Sequence, residues 1–104
     1  MNALAAKQPS DICVLGAGSY GSALAICLAR NENKVTLWGR STEHVKLMAQ
    51  QQSNEKYLPG SQFPHNLSVT ADLQQAVSSS DNILVVVPSH AFGELLDQIQ
   101  PLLR

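Results

Sequence analysis

The feature that most restricts the fold of this 104-residue chain is a short apolar run that stops abruptly at a glycine-rich turn. The run is Asp11–Leu15, and the six residues after it read Gly-Ala-Gly-Ser-Tyr-Gly. A short apolar run bounded by a turn signal is typical of a strand buried on both faces. The next segment, Ser19–Arg30, carries Leu24, Cys27 and Leu28 at helical spacing. The sequence therefore predicts a strand, a tight turn and a helix.

The same alternation continues along the rest of the chain. Three more strands are predicted, at Lys34–Trp38, Leu67–Thr70 and residues 82–87, the last of them buried on both faces. Helices are predicted from the N-cap Ser41 to about Gln51, over residues 71–78, and from the N-cap Ser89 to an end or kink at Pro101. Residues 57–64 contain two prolines and a glycine and are predicted to form a loop. Strands that alternate with helices indicate a parallel sheet.

Spacing also predicts which side chains face the core. They are Val45 and Met48 in the second helix, Leu73, Ala76 and Val77 in the third, and Phe92, Leu95 or Leu96, and Ile99 in the last. In the first helix, small alanines share the inner face and would let that helix lie close to the sheet. Cys13 and Cys27 lie in apolar segments without metal-like spacing, so both are expected to be buried free thiols.

Composition and charge exclude several classes of function. With 7 Lys and Arg, 8 Asp and Glu, and a net charge of −1, the chain has no basic footprint for nucleic acid. No apolar stretch approaches the ~20 residues that span a bilayer, so membrane insertion is not expected. The histidines and carboxylates are scattered, which indicates neither a metal site nor a paired-carboxylate catalytic site.

The turn after the first strand fits the pattern Gly-x-Gly-x-x-Gly, which is informative because a strand precedes it and a helix follows it. Gly16 would allow the tight turn, Gly18 would let the backbone touch a pyrophosphate, and Gly21 would let the helix pack closely on the strands. The N–H groups of the first helical turn would then face the phosphate charge. The sequence predicts a dinucleotide-binding turn; the alternative is an ordinary glycine-rich turn that holds no ligand.

The end of the second strand bears on which dinucleotide is bound. An NAD site usually has a carboxylate about 20 residues after the glycines, which binds the ribose 2′-hydroxyl. That place reads Trp-Gly-Arg-Ser at residues 38–41 and holds no acid. The guanidinium of Arg40 could bind a 2′-phosphate and stack on adenine, so NADP(H) is predicted, with NAD(H) as the other candidate. The alternative is that Arg40 is only a solvated charge at a helix end.

Four more residues lie near this predicted site. Ser19 could hydrogen-bond a phosphate or cap the helix, and Tyr20 could line the nucleotide cleft or be a surface residue without a role. Phe92 follows the carboxyl end of the fourth strand, where open α/β sheets bind ligands, and it could pack against the cofactor or belong to the helix core. His90 has no partner acid or nucleophile, so a solvated or capping role is expected.

Together the elements predict an α/β fold of the doubly wound, Rossmann-type class, in the order β-α-β-α-β-α-β-α. About four strands are counted where a complete fold has about six, so the domain is predicted to be truncated. Residues 10–104 would form an incomplete NAD(P)-binding domain, without a substrate domain in this chain. Residues 1–9 lack the features of a secretory signal and would form a loose tail.

Four segments carry a resemblance to a known family. They are residues 16–25 (Gly-Ala-Gly-Ser-Tyr-Gly-Ser-Ala-Leu-Ala), 38–40 (Trp-Gly-Arg), 57–60 (Tyr-Leu-Pro-Gly) and 85–92 (Val-Val-Val-Pro-Ser-His-Ala-Phe). With them the chain resembles the N-terminal part of bacterial-type NAD(P)-dependent glycerol-3-phosphate dehydrogenase, from about Ile12 to Leu103.

The resemblance implies reduction of dihydroxyacetone phosphate to sn-glycerol 3-phosphate with NAD(P)H, a cytoplasmic step that supplies glycerophospholipid synthesis. In that family, residues at the places of Ser19, Tyr20 and Arg40 contact the cofactor, and the aromatic at the place of Phe92 lies near the nicotinamide. The catalytic lysine lies in a C-terminal substrate domain, so no catalytic residue is assigned here and the chain alone is expected to be inactive. The small-molecule substrate would bind the full-length protein, and the oligomeric state is open, with a homodimer among the options.

Other functions fit the same glycine turn. One is a different two-domain NAD(P)-dependent hydroxy-acid dehydrogenase, because the substrate is not readable from this sequence. Another is a non-catalytic module that senses NAD(P)H. A third, an S-adenosylmethionine methyltransferase, is disfavoured because such proteins usually keep an acid at the end of the second strand, and residues 38–41 contain none.

Overall fold

A computed structural model describes residues 10–103, and the tail predicted at residues 1–9 lies outside the described residues. The strands are β1 (Asp11–Leu15), β2 (Lys34–Trp38), β3 (Ser53–Asn54), β4 (Leu58–Gln62), β5 (Leu67–Thr70) and β6 (Asn82–Val85). The helices are α1 (Ser19–Arg30), α2 (Thr42–Gln51), α3 (Leu73–Ser78) and α4 (Ser89–Ile99), followed by a 3₁₀ turn (Gln100–Leu102). Every predicted strand and helix is present, with differences at some of their ends.

Four of the strands form one parallel sheet in the order β5-β2-β1-β6. At the centre of the sheet, Leu15 of β1 lies opposite Trp38 on one side and Val85 on the other. The chain runs outward from β1 through β2 to β5, and then returns to the other side of β1 to form β6. This reversal of direction defines a doubly wound sheet and confirms the predicted fold class.

Helices cover both faces of the sheet. Successive residues of a strand point to opposite faces, so β1 contributes side chains to a core on each side. On one face, Ile12 and Val14 of β1 pack with residues of α1 and α2. On the other face, Cys13 and Leu15 pack with residues of α3 and α4. The helices supply buried side chains where their spacing predicts them, at Val45, Met48, Ala76, Val77, Leu95 and Ile99.

The first helix buries a different face from the predicted one. Its buried residues are Gly21, Ser22, Ala25, Ile26 and Ala29. The predicted Leu24 and Leu28 are only half-buried, and Cys27 is exposed. Four of these five residues are small, because the backbone of α1 comes very close to the end of β1 at its first turn; Ile26 is the one large side chain among them.

The two cysteines therefore differ in environment, and the prediction of two buried thiols is right for one of them. Cys13 is fully buried in the core, where desolvation raises the pKa of its thiol to about 12. Its thiol consequently stays protonated at neutral pH and behaves as a small apolar group. Cys27 is a free thiol on the exposed side of α1.

The loop predicted at residues 57–64 is in part a strand. β4 pairs antiparallel with β3, Ser53 opposite Gln62 and Asn54 opposite Leu58, to form a two-stranded ribbon that is separate from the main sheet. A proline is tolerated here because it removes a hydrogen-bond donor from a ribbon edge and not from a central strand. The positive φ of +85° at Gly60 suits glycine, which has no Cβ to clash.

The third and fourth helices begin differently from their predicted starts. α3 begins at Leu73 because Asp72 is its N-cap, whose carboxylate accepts a hydrogen bond from the Gln75 N–H at 3.1 Å. The N-cap of α4 is Pro88, so the prediction of Ser89 in that place is wrong by one residue. A proline fits there because its fixed φ is compatible with the start of a helix.

The strand predicted at residues 82–87 is shorter and less buried than its apolar sequence indicates. β6 ends at Val85, and Leu84 is 37% exposed, while Ile83 and Val85 are half-buried. Within residues 10–103, β6 pairs only with β1 and forms an edge of the sheet. The prediction of burial on both faces is therefore wrong. An apolar run indicates that a strand is hydrophobic, but it does not indicate which strands and helices cover it.

Replacing Gly21 by Ala should destabilise the fold. A Cβ at this position would overlap the carbonyl oxygen of Gly16, so α1 must move away from β1. We expect the free energy of unfolding in urea, followed by circular dichroism, to fall by about 1–3 kcal/mol, as for other overpacked sites. Gly93→Ala is the matched control, because a Cβ in this helical position meets nothing within 4 Å and should not lower stability. An equal loss in the two variants would contradict the role of Gly21.

Candidate functional site

The carboxyl ends of the parallel strands meet at one edge of the sheet, and backbone hydrogen bonds tie them together there. The N–H of Gly16 donates to the carbonyl of Trp38 at 3.0 Å, and the N–H of Val86 donates to the carbonyl of Leu15 at 2.8 Å. The strand order reverses at β1, because β2 lies on one side of β1 and β6 on the other. In open α/β sheets, ligands bind at such a switch point, outside the carboxyl ends of the strands.

Two glycines of the turn are required by the packing of the chain itself. Gly16 has a φ of +127°, which side chains rarely allow, and a Cβ there would overlap the carbonyl oxygen of Val86. A Cβ at Gly21 would overlap the carbonyl oxygen of Gly16. The predicted reasons for these glycines, a tight turn and close helix packing, therefore correspond to specific contacts.

Gly18 is different, because the folded chain does not require a glycine there. Its φ of −80° is ordinary, and a Cβ would meet nothing within 4 Å. Gly18 is the N-cap of α1 without a side-chain cap, and its N–H donates no hydrogen bond within the described residues. The first-turn N–H groups also have no partner inside the helix. Open space beside bare N–H groups fits a bound pyrophosphate.

Ser19 and Tyr20 occupy the first two positions of α1 and are exposed, Tyr20 to 72%. Because Gly18 is the N-cap, Ser19 does not cap this helix, and that alternative is wrong. Both side chains lie at the start of the helix, beside the open space at Gly18. Their contacts with a nucleotide stay a prediction.

Arg40 follows β2 at the same edge of the sheet and is exposed. Within the described residues its guanidinium makes no ion pair or hydrogen bond, so its charge is available to a ligand. Ser41 caps α2 as predicted, because its Oγ accepts a hydrogen bond from the His44 N–H at 3.2 Å. Ser41 also lines a cleft of about 430 Å³, together with Glu43, His44, Lys46, Leu47, Gln50 and Lys56.

Phe92 and His90 lie in the first turn of α4, which follows β6 at the same edge. Phe92 is 42% exposed, so its assignment to the helix core is wrong and its side chain is free to contact a ligand. His90 is exposed, in accord with a solvated role. Residues 10–103 contain no group of three metal-ligating side chains, and none of their helices is long and apolar enough to cross a membrane.

A buried polar network that sequence reasoning missed lies directly behind the glycine turn. Asn54 of β3 is 1% exposed, and its Nδ2 donates to the carbonyl of Ala17 at 2.9 Å and to the Oγ of Ser22 at 2.7 Å. Its Oδ1 contacts the Nε2 of His44 at 2.9 Å and accepts from the N–H of Tyr57 at 3.3 Å. No periodicity marks such a residue, because its partners lie up to 37 positions away in the sequence.

Comparison with known proteins identifies the family. Residues 11–104 match the family described as the N-terminus of NAD-dependent glycerol-3-phosphate dehydrogenase. The glycerol-3-phosphate dehydrogenase (NAD(P)+) of Colwellia psychrerythraea is 61% identical over 100 residues, which are 96% of this chain and 29% of that protein. The protein of the same name from Pseudoalteromonas translucida is 57% identical over 95 residues, 91% of this chain and 28% of that protein. The crystal structure of glycerol-3-phosphate dehydrogenase from Coxiella burnetii matches with a TM-score of 0.88 and 42% identity, over 92% of this chain and 30% of that one.

The doubly wound sheet and the glycine turn define a nucleotide-binding domain of the dehydrogenase class. Within that class, the chain belongs to the family of NAD-dependent glycerol-3-phosphate dehydrogenases and corresponds to their N-terminal part. The resemblance predicted from sequence is confirmed, and so are the NAD(P) cofactor class and the oxidoreductase class at the level of the family. The chain spans about 29% of the length of the curated relatives that it matches.

Proposed function

We propose that the glycine turn binds the pyrophosphate of NAD(P)H, and that this chain is the cofactor-binding part of an enzyme that reduces dihydroxyacetone phosphate to sn-glycerol 3-phosphate. The observation that carries the proposal is the contrast within one turn. Packing alone accounts for Gly16 and Gly21, whereas a Cβ at Gly18 would meet nothing within 4 Å. A glycine at Gly18 has a physical reason once a ligand lies against its backbone. Family membership supports the identity of that ligand and of the reaction.

The pyrophosphate would be held mainly by backbone groups. The N–H groups of Gly18, Ser19 and Tyr20 lie at the positive end of the α1 dipole, which favours a negative charge. The exposed hydroxyl of Ser19 would add a donor, and the exposed ring of Tyr20 would line the nucleotide cleft. Gly16 and Gly21 would act indirectly, because they hold the turn in the shape that presents these groups.

Arg40 would select the ribose. No acid stands at residues 38–41 to bind a 2′-hydroxyl or to repel a 2′-phosphate. A guanidinium can hold a phosphate by two parallel hydrogen bonds and can stack on adenine. The exposed and unpaired state of Arg40 supports this role, so NADP(H) would bind more tightly than NAD(H).

The bound cofactor supplies a hydride from its reduced nicotinamide to the ketone carbon of the substrate. The residues of this chain would bind and orient that cofactor. Phe92, exposed in the first turn of α4, would form one wall of the nicotinamide pocket. No residue of this chain is assigned the proton transfer to the substrate, which would fall to the remainder of a longer protein.

We further propose the setting in which this chain works. Residues 10–104 would be the NAD(P)-binding domain of a longer protein, because the curated relatives match over only about 29% of their length. The remainder would bind dihydroxyacetone phosphate and carry out catalysis. The product would serve glycerophospholipid synthesis in the cytoplasm, and a homodimer is a suitable assembly for the whole protein.

Replacing Gly18 by Val should abolish most dinucleotide binding without unfolding the chain. The Cβ of the new side chain meets nothing within 4 Å in the folded protein, but the side chain would occupy the space of the pyrophosphate. In calorimetric titrations we expect affinity for NADPH and NADH to fall about tenfold or more. Gly93→Val is the matched control, because its Cβ also meets nothing within 4 Å. Unchanged affinity in a folded Gly18→Val protein would refute binding at this turn.

Replacing Arg40 by Asp should change the choice between the two cofactors. The loss of a charged hydrogen-bonding partner should weaken NADPH binding roughly ten- to hundredfold, with a much smaller effect on NADH. Arg30→Asp makes the same charge change at an exposed position at the opposite end of α1, and it should leave both affinities nearly unchanged. Equal losses for NADPH and NADH in Arg40→Asp would remove Arg40 from the ribose site.

The reaction is tested with a full-length protein that contains this sequence. We expect it to oxidise NADPH when dihydroxyacetone phosphate is added, with absorbance at the nicotinamide band as the measurement. Hydroxy acids and their keto forms, offered as alternative substrates, should give little turnover. Turnover of such a substrate alone would favour a different dehydrogenase, and tight NADPH binding without turnover of any substrate would favour a sensing module.

A further inference from the structure

Asn54 connects the separate ribbon of β3 and β4 to the glycine turn. It lies on β3 and is almost fully buried, yet its side chain makes hydrogen bonds to four different residues. Of these, the bond to the carbonyl of Ala17 reaches the first variable position of the glycine pattern. A buried amide is tolerated only when its donors and acceptors are satisfied, so these bonds hold its side chain in one orientation.

The orientation of the Asn54 amide follows from two partners that each have one role. The N–H of Tyr57 can only donate, so the atom beside it at 3.3 Å must be the oxygen. The carbonyl of Ala17 can only accept, so the atom beside it at 2.9 Å must be the nitrogen. His44 therefore donates from Nε2 to the same oxygen. A flipped side chain would lose its bonds to Ala17 and Tyr57, because neither partner can change its role.

The bond to Ala17 has a consequence for the opposite side of the same peptide unit. The peptide between Ala17 and Gly18 is trans, and in a trans peptide the C=O and the N–H point in opposite directions. Because Asn54 holds the Ala17 carbonyl towards the protein interior, the Gly18 N–H points away from it. That N–H makes no hydrogen bond within the described residues, and Gly18 itself is exposed, with nothing within 4 Å of the position that a Cβ would take.

We infer that Asn54 is a positioning residue for cofactor binding, which orients the Ala17–Gly18 peptide so that the Gly18 N–H faces the pyrophosphate. The inference rests on the proposed binding of NAD(P)H at this turn. It adds that the strength of binding depends on a side chain from the ribbon that does not itself touch the cofactor. Without Asn54, the Ala17 carbonyl would lose its hydrogen-bond donor and would turn towards solvent to bond with water. The peptide would then present an oxygen to the phosphate charge.

Asn54→Ala tests this role without adding a charge near the phosphates. The matched control is Asn66→Ala, since the Nδ2 of Asn66 also donates to two backbone carbonyls, those of Ala29 and Asn33, both at 2.7 Å. Asn66 immediately precedes β5, so it lies at the amino ends of the parallel strands, whereas the glycine turn lies at their carboxyl ends. Each variant loses two hydrogen bonds donated by the amide Nδ2, and Asn54→Ala also loses the two contacts of Oδ1, but only Asn54→Ala releases the Ala17–Gly18 peptide.

The measurement is a titration of the ¹⁵N-labelled chain with NADPH, followed in amide ¹H–¹⁵N correlation spectra. In the wild type, the Gly18 amide proton should move downfield on saturation because it donates to a phosphate oxygen. In Asn54→Ala this shift should be lost and the affinity should fall about tenfold. In Asn66→Ala the shift and the affinity should match the wild type. A merely structural role for Asn54 would lower stability but leave the Gly18 shift in place.

Each other outcome is decisive as well. Wild-type affinity in a folded Asn54→Ala protein, or an equal loss in both alanine variants, would overturn the inference and leave the proposed function standing. If Asn54→Ala does not fold, the wild-type spectrum decides, because a Gly18 amide that stays in place while its neighbours move would overturn it. If the wild type does not bind NADPH, or Gly18→Val binds it equally well, the proposed function fails and the inference fails with it.

Discussion

The close approach of α1 to the end of β1 is the contact on which the rest of the structure depends. It is possible because Gly21 presents only hydrogen to the carbonyl of Gly16, and Gly16 in turn presents only hydrogen to the carbonyl of Val86. The same contact directs the first turn of α1 towards the carboxyl edge of the sheet. It also accounts for the small side chains on the buried face of α1, where Ala25 and Ala29 lie against the strands. The close contact at Gly16 and Gly21 therefore accounts both for the packing of α1 on the sheet and for the position of the candidate anion site.

The ribbon of β3 and β4 extends this arrangement by way of Asn54. Its buried amide joins α1, α2 and the glycine turn through hydrogen bonds to Ser22, His44 and Ala17. Within the described residues no buried side-chain polar atom lacks a partner, so this network is fully satisfied. A satisfied network in a low-dielectric interior is rigid, because any rearrangement leaves a polar atom unpaired. The conformation of the turn is thus stabilised by the hydrogen bonds of Asn54 as well as by its own glycines.

Local signals in the sequence were reliable where short-range geometry decides the structure. The strand Asp11–Leu15, the cap at Ser41 and the inner positions Val45 and Met48 follow from apolar spacing and capping chemistry alone. Prediction failed where the deciding neighbour is distant. Cys27 is exposed because the face of α1 that packs on the sheet lies about one residue further along the helix than the apolar spacing predicts. The strand β6 is half-buried because, within the described residues, only β1 pairs with it. Neither neighbour can be read from the local pattern.

The candidate site divides in the same way. The sequence by itself determined the glycines, the missing acid at residues 38–41 and the cationic Arg40, since backbone freedom and charge belong to individual residues. Only the tertiary structure decided that Gly18 faces open space while Gly16 and Gly21 do not. It alone also placed Asn54 against Ala17, 37 positions away. The physical reason is that dihedral preference and charge are local properties, whereas burial and hydrogen-bond partners depend on segments that meet only when the chain has folded.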